Sequence, residues 1–325
     1  MTVAAPRQVA DADLGLPVTR PYDLRRTLAI HRRGPADPAM RFEVSGSTWR
    51  TSRTPDGPVT LLLEDRDGEV RARAWGPGSA WAIDRLPGLL GLDDDPAGLV
   101  PRHPAVEQAV RRAPGLRIGR TERVLEALVP AILEQKVTGD EARRVYRALL
   151  ARHGEPAPGG FGMRVPPAPR TLAELPYYAF HPLGLERRRA ELIRAVCREA
   201  DRLERLGAAA AQPATDPTAI ATREQARAAA AAALRGFPGI GPWTVAEVAI
   251  RAWGDPDAVS VGDFHIPSMV AWALAGEPRG TDERMLELLE PYAGQRGRVT
   301  RVLELAGVAA PRYGPRLASR RIAGL

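Results

Sequence analysis

One aspartate and one glycine-rich turn carry most of the chemistry that can be inferred from this chain of 325 residues. Residues 234–250 (LRGFPGIGPWTVAEVAI) have the pattern of two helices joined by a tight turn at 238–241. The glycines permit positive φ and a close approach to the backbone, so the N–H groups of the turn suit a phosphate. Pro242 fits the first position of the second helix, whose positive end faces the same phosphate. Asp263 stands 22 residues beyond Gly241, in the segment SVGDFHIP.

A single carboxylate at that place has a definite chemical use. When the bond between a base and its deoxyribose breaks, positive charge develops on the sugar, and a nearby carboxylate stabilises it. The combination of a phosphate-binding turn with Asp263 therefore predicts an enzyme that cuts this bond in DNA. Two structural alternatives stay open. The turn is an ordinary junction between helices, or Asp263 caps the helix that contains His265 and Met269.

The overall charge favours a polyanionic partner. The chain has 46 basic and 39 acidic residues, a formal net charge of +7 and a pI near 10.2. Such a balance is typical of nucleic-acid binding, although a solvated surface with a basic bias is the alternative. Lys136 is the only lysine, and the arginine-rich composition itself is assigned no function.

Several classes of protein are excluded by composition. Cys197 is the only cysteine, which excludes intramolecular disulfides, zinc knuckles and cysteine-ligated iron–sulfur clusters, and the histidines lack metal-ligand spacing. We therefore expect no metal and no cofactor. The first 14 residues do not resemble a signal peptide, and no apolar run is long enough to span a bilayer. The expectation is a monomeric cytoplasmic protein, associated with the nucleoid and with no membrane partner.

The pattern of elements predicts an α+β fold in two parts. Strands are expected at 41–44, 48–53, 59–64 and 70–74, separated by Ser/Gly and Asp/Gly turns and followed by a helix over 80–90 capped by Ser79. From residue 104 the apolar period becomes helical. Helices are predicted at 106–112, 122–133, 140–153, 172–175, 187–206, 223–234, 242–253 and 282–289. The predicted domains are a small antiparallel sheet with a helix, 1–100, and a larger all-helical domain, 101–325.

The segment 237–244 (FPGIGPWT), with Asp263 at its distance, resembles the helix-hairpin-helix (HhH-GPD) DNA glycosylase superfamily. The resemblance is nearest to the bacterial 3-methyladenine DNA glycosylase II branch and extends to residues 20–23, 113–117 and 131–138. It implies two helical subdomains with an active-site cleft between them. It also implies base excision repair of double-stranded DNA, in which a damaged, alkylated base is flipped out and hydrolysed from its sugar, leaving an abasic site.

The same resemblance assigns the catalytic roles. Asp263 matches the invariable catalytic aspartate of the superfamily. An alkylated base is already cationic and leaves without a proton, so one carboxylate suffices where sugar glycosidases need two. Trp243 occupies the position where lyase-active relatives have a lysine, so no Schiff base can form there. The implied enzyme is monofunctional, with no abasic-site lyase activity.

Lys136 resembles the residue that fills the gap left by the flipped base, and Gln135 is a DNA-contacting neighbour. A solvated lysine at a helix end is the alternative. The resemblance also places DNA contacts at the hairpin residues Gly239, Gly241 and Thr244, and at a second loop-to-helix junction with Gly184 and Arg187. At that junction, the alternative is an ordinary helix start with solvated arginines.

The base pocket is expected to include Trp243 and Glu247. An aromatic wall suits a cationic base through cation–π attraction, while packing in the core is the alternative for Trp243. Glu247 replaces an aromatic residue of the relatives, and residues 299–307 lack another. Glu247 has three open roles: bonding a base edge, neutralising a cationic lesion, or facing solvent. Two further hypotheses remain: a glycosylase for oxidised or deaminated bases, and a non-catalytic protein that binds damaged DNA.

Overall fold

The structure is a computed structural model that describes residues 9–311, so 1–8 and 312–325, at the outer ends of the two predicted domains, lie outside the described residues. A five-stranded antiparallel sheet comes first, in the order β1-β5-β4-β3-β2. Its strands are β1 (Ala12–Pro17), β2 (Met40–Phe42), β3 (Thr48–Thr54), β4 (Gly57–Arg66) and β5 (Glu69–Trp75). A two-stranded ribbon, β6 (Glu155–Pro156) and β7 (Arg164–Val165), lies in the proline-rich connector.

The remainder is helical. Four helices precede the central ones: α1 (Leu24–Leu28), α2 (Ser79–Asp84), α3 (Leu86–Leu89) and α4 (Pro104–Arg112). The central helices are α5 (Val124–Glu134), α6 (Gly139–His153), α7 (Pro169–Glu174), α8 (Arg187–Arg198), α9 (Ala200–Ala210), α10 (Pro217–Arg235) and α11 (Pro242–Val248). A π-helical turn, Ala249–Trp253, continues α11. The C-terminal helices are α12 (Ile266–Ala275), α13 (Asp282–Leu289) and α14 (Arg296–Leu305).

The predicted α+β fold class is confirmed, with differences in detail. The helix expected over 80–90 is two short helices, and Gly78 rather than Ser79 occupies the N-cap, since the Ser79 hydroxyl donates to Gly76 O at 2.7 Å. The helix expected over 187–206 is broken at Glu199. Strand β1 and helices α1 and α14 were not expected. In residues 9–311, no helix is long and apolar enough to cross a membrane.

The three largest apolar cores organise residues 9–311, and a fourth, smaller cluster joins the sheet to the β6–β7 ribbon. One lies under the sheet, where alternate residues of β5 (Val70, Ala72 and Ala74) point inward, as a strand with one buried face requires. The second holds α5 to α11 together. The third joins α4 to the C-terminal helices α12–α14. Helix α4 therefore packs with elements that follow it by more than 150 residues, and a domain boundary at residue 100 stays a prediction.

Candidate active site

The hairpin turn lies between the end of α10 and the start of α11. Ile240 is 6% exposed and its N–H donates to Phe237 O at 3.0 Å, which anchors the turn in the helical core. Gly239 has φ +107°, a conformation that L side chains rarely adopt. Gly241 is the extended N-cap of α11. The first N–H groups of α11 have no partner within the helix, so the turn presents backbone donors as an anion site requires.

Asp263 lies on the loop that precedes α12. Its Oδ1 accepts hydrogen bonds from the N–H groups of His265 (2.7 Å) and Ile266 (2.9 Å). Its Oδ2 accepts one from the indole Nε1 of Trp243 at 3.1 Å. The capping alternative is therefore part of the structure, because one oxygen holds the start of α12. The second oxygen is half-buried against the first turn of α11, and the catalytic role stays a prediction.

The Trp243–Asp263 hydrogen bond joins two helical cores. Ile240 and Val245, on either side of Trp243, belong to the core of the central helices. Val261 and Ile266, on either side of Asp263, pack against the C-terminal core. The candidate carboxylate therefore sits where the two helical parts meet, with an aromatic ring from the opposite part beside it.

Gln135 brings three of the predicted DNA-binding residues together. Its side-chain Nε2 donates to Gly239 O and to the Thr244 hydroxyl oxygen, both at 3.0 Å. Thr244 is 2% exposed and its hydroxyl accepts this internal bond, and a contact between Thr244 and DNA stays a prediction. The end of α5 is thereby fixed to the hairpin.

Lys136 directly follows Gln135, whose side chain fixes the end of α5 to the hairpin. It is exposed, and its φ of +55° places it in the left-handed region. Among residues 9–311 no acidic group pairs with its ammonium. The preceding turn is held from two further directions: Arg33 pairs with Glu134 at 3.0 Å, and Arg189 donates to Leu133 O at 2.8 Å. This geometry suits a plug residue, which stays a prediction.

The second predicted DNA contact lies at the start of α8, a helix that packs against the same hairpin through Leu192. Gly184 is left-handed (φ +88°) and ends a short 3₁₀ helix, Tyr177–Leu183. Arg187 begins α8, where its guanidinium lies 4.5 Å over the ring of Tyr177 and its Nε donates to Glu191 at 2.8 Å. Helix α8 reaches the hairpin, because a Cβ at Gly239 would stand 3.3 Å from a methyl of Leu192.

Glu247 does not face solvent, so that alternative is wrong. Its side chain is 13% exposed; Oε2 pairs with Arg251 at 2.5 Å and Oε1 accepts from the Ser260 hydroxyl at 2.7 Å. Burial raises the pKa of Glu247, but Arg251, Ser260 and Arg33 together lower it below its usual value. A contact with a base stays a prediction. The four-residue spacing from Arg251 could have indicated the ion pair; no local signal marks Ser260.

The N-terminal part of the chain also contacts the neighbourhood of the site, which no local pattern of the sequence indicated. The Arg251 Nε donates to Ile30 O at 3.1 Å, and His31 lies beside it, 7% exposed, with no partner for Nε2 among residues 9–311. His31 and Arg251 line a small polar cavity together with Arg33 and Arg50. Burial, followed by the positive charges of Arg50 and Arg251, lowers the pKa of His31 well below its usual value.

Stability is therefore expected to fall in mild acid because of His31. The unfolded imidazole binds a proton below about pH 6.5 and the folded one does not, so stability present above that pH is lost as the pH falls. Between pH 7 and pH 5 the unfolded imidazole takes up most of a proton, so the loss is at most about 2 kcal/mol. Urea unfolding at both pH values should show that His31→Leu removes this part of the pH dependence. The control His181→Leu, which removes an exposed imidazole, should not; equal slopes for all three proteins would contradict the prediction.

Within residues 9–311, no three His, Cys, Asp or Glu side chains are grouped as ligands of a metal ion. Cys197 is buried, which raises the pKa of its thiol to about 12.

Comparison with known proteins identifies the fold class. No protein-family model matches the chain. A 3-methyladenine DNA glycosylase from Archaeoglobus fulgidus superposes with a TM-score of 0.72 at 18% identity, over 90% of this chain and 97% of that one. An 8-oxoguanine glycosylase/lyase from Clostridium acetobutylicum, solved with double-stranded DNA, superposes with a TM-score of 0.66 at 12% identity, over 91% and 97%. The fold is that of these solved DNA glycosylases.

A sequence comparison with curated proteins adds to this likeness of fold. A Mycobacterium tuberculosis protein described as a probable bifunctional transcriptional activator/DNA repair enzyme AlkA is 29% identical over 270 residues. The match covers 80% of this chain and 51% of that protein, so the chain spans about half the length of the curated relative. By hairpin sequence and fold, the chain resembles the DNA glycosylases, and its sequence is similar to a curated protein described as an AlkA-type DNA repair enzyme.

Proposed function

We propose that the protein is a DNA glycosylase of base excision repair, which flips a damaged base out of double-stranded DNA and hydrolyses its N-glycosidic bond. The observation that carries this proposal is the half-buried carboxylate of Asp263, held 3.1 Å from the Trp243 indole on the first turn of the hairpin helix. The hairpin grips a phosphate while the carboxylate stabilises the cationic sugar. Gln135 fixes the Lys136 tip to the same hairpin, so one unit holds the strand and fills the vacated stack.

An alkylated base is the proposed substrate. The similarity to an AlkA-type DNA repair enzyme supports it, and so does the single carboxylate beside the hairpin. A cationic leaving group needs no proton, so Asp263 alone can suffice. Trp243 supplies an aromatic face that attracts a cationic ring.

A second substrate class is favoured by one observation. The position four residues after Trp243 holds the Glu247–Arg251 ion pair and its bond to Ser260, where the resemblance implies an aromatic residue in the 3-methyladenine enzymes. Without an aromatic ring at this position the site has less cation–π attraction for a cationic base, which favours oxidised or deaminated bases because these are neutral.

A panel of duplexes tests both substrate classes. Each duplex contains one defined lesion: an N3- or N7-alkylated purine, a deaminated base or an oxidised base. After incubation, alkali cleaves the strand wherever a base has been released. Cleavage at alkylated positions supports the proposal, and cleavage only at deaminated or oxidised positions supports the second class. No release from any duplex, combined with tight binding to damaged DNA, would favour the non-catalytic alternative.

We also propose that the enzyme has no lyase activity. A lyase needs an amine that attacks C1′ of the abasic sugar, and Trp243 occupies the hairpin position where such a lysine would stand. Because Lys136 is the only lysine of the chain, a trapping experiment has one candidate side chain. Incubation with abasic-site DNA and borohydride should give no covalent adduct, and strands should stay intact without alkali. An adduct that disappears in Lys136→Arg would contradict the proposal and identify the amine.

A further inference from the structure

The carboxylate of Glu247 connects the hairpin helix to the loop that carries Asp263. Its Oε1 accepts a hydrogen bond from the Ser260 hydroxyl at 2.7 Å, and the carbonyl of Ser260 accepts one from the N–H of Asp263 at 3.1 Å. Trp243 and Glu247 are four residues apart and so lie on one face of α11. The two side chains therefore attach to the two ends of the same short loop, 260–263.

Arg251 fixes the other side of Glu247. Its Nη1 donates to Glu247 Oε2 at 2.5 Å and to the Glu247 carbonyl at 3.1 Å, and its Nε donates to Ile30 O at 3.1 Å. The two charged side chains are only 13% and 15% exposed, so the pair is little screened by solvent. A continuous line of hydrogen bonds thus runs from the N-terminal part of the chain to the candidate catalytic loop.

We propose that Glu247 is a positioning residue that sets the place of Asp263 through Ser260, and that it does not select the base. The proposal rests on the proposed function of Asp263. Both oxygens of Glu247 already have protein partners, which a base-reading carboxylate would have to give up. A carboxylate that stabilises a cationic sugar must be held close to its working position, and a displacement of about 1 Å costs about 100-fold in rate. Glu247 and Trp243 provide two attachment points for this purpose.

The first test separates positioning from base recognition. Glu247→Gln is compared with the natural protein in single-turnover base release from two duplexes with chemically different lesions. Positioning predicts the same loss on both lesions, about 10- to 100-fold, with the DNA dissociation constant changed by less than about twofold. The matched control is Glu107→Gln, since Glu107 pairs with Arg111 at the same four-residue spacing but on an exposed face of α4. Losses that differ strongly between the lesions would show base recognition and overturn the proposal.

The second test does not depend on activity. The chain has six tryptophans, and the indole N–H signal of Trp243 is identified in a nitrogen-15 spectrum by its loss in Trp243→Phe. Glu247→Gln and Ser260→Ala should each shift this signal and the amide signals of His265 and Ile266, because the loop that holds Asp263 moves. Ser260→Ala removes only one hydroxyl and keeps the buried ion pair. It therefore tests the link between Glu247 and the Asp263 loop even if Glu247→Gln does not fold.

Failure of the proposed function and failure of the positioning proposal give different results. If the natural protein releases no base while both variants shift the Trp243 signal, the proposed function is wrong and the link from Glu247 to the Asp263 loop stands. If the signals of Trp243, His265 and Ile266 are unchanged in both variants, Glu247 does not position the loop, whatever the enzyme releases. Glu107→Gln should leave all three signals in place.

Discussion

Replacing Asp263 by asparagine is expected to lower base release at least about 1000-fold while leaving DNA affinity within about twofold, because the charge that stabilises the sugar cation is lost. The asparagine substitution removes the charge of Asp263 but keeps its role as the cap of α12. Its carbonyl can still accept from the N–H groups of His265 and Ile266, and asparagine caps helices as well as aspartate does. The start of α12 should therefore stay intact.

The measurement is single-turnover release from a lesion that the natural protein cleaves, with binding to the same duplex followed by fluorescence anisotropy. Thermal unfolding of Asp263→Asn should change little, apart from the cost of turning an amide N–H toward the Trp243 indole donor. Asp263→Ala provides the comparison, since it removes both the charge and the cap. If Asp263→Asn keeps full activity and Asp263→Ala loses stability alone, Asp263 is only a helix cap and the enzymatic proposal fails.

The local parts of the site could be predicted from the sequence because short-range chemistry determines them. The turn at 238–241 follows from its glycines and from a proline that suits the first position of α11. Strands β3, β4 and β5 follow from their β-branched and apolar residues and from the turn residues between them. Strand β1 has only a short apolar alternation (Ala12, Leu14 and Leu16), interrupted by a glycine and ended by a proline, and its pairing with β5, in the register Leu14 opposite Ala72, makes it a strand.

The long-range parts could not be predicted in the same way. Ile30 and Arg251 are 221 residues apart in the chain, and their hydrogen bond depends on the packing of the N-terminal part against the π-helical turn. Glu247 was expected at a base pocket because of its position in the hairpin helix. Its actual partners come from the next helical turn and from the loop at Ser260, and side-chain partners across a loop have no fixed spacing.

The second large effect is expected on DNA binding, from a substitution in the backbone turn of the hairpin. Gly239→Ala should weaken binding to an undamaged duplex about 10-fold, because an L side chain at φ +107° costs about 1–3 kcal/mol and the turn relaxes away from its phosphate-binding shape. The new methyl would also stand 3.3 Å from Leu192. Losing one phosphate contact should reduce the slope of log affinity against log salt by about 1.

Gly46→Ala is the matched control for this strain. Gly46 has φ +93° in the turn between β2 and β3, and a Cβ there would meet nothing within 4 Å. Both variants therefore place an alanine in a left-handed conformation, and both should lose stability by a similar amount. Only Gly239→Ala should lose DNA affinity and salt dependence, because only that strain lies at the anion-binding turn. Equal DNA affinity for the two variants, with both less stable, would show that the hairpin turn does not grip the strand, and phosphate binding would have to be sought at the start of α8.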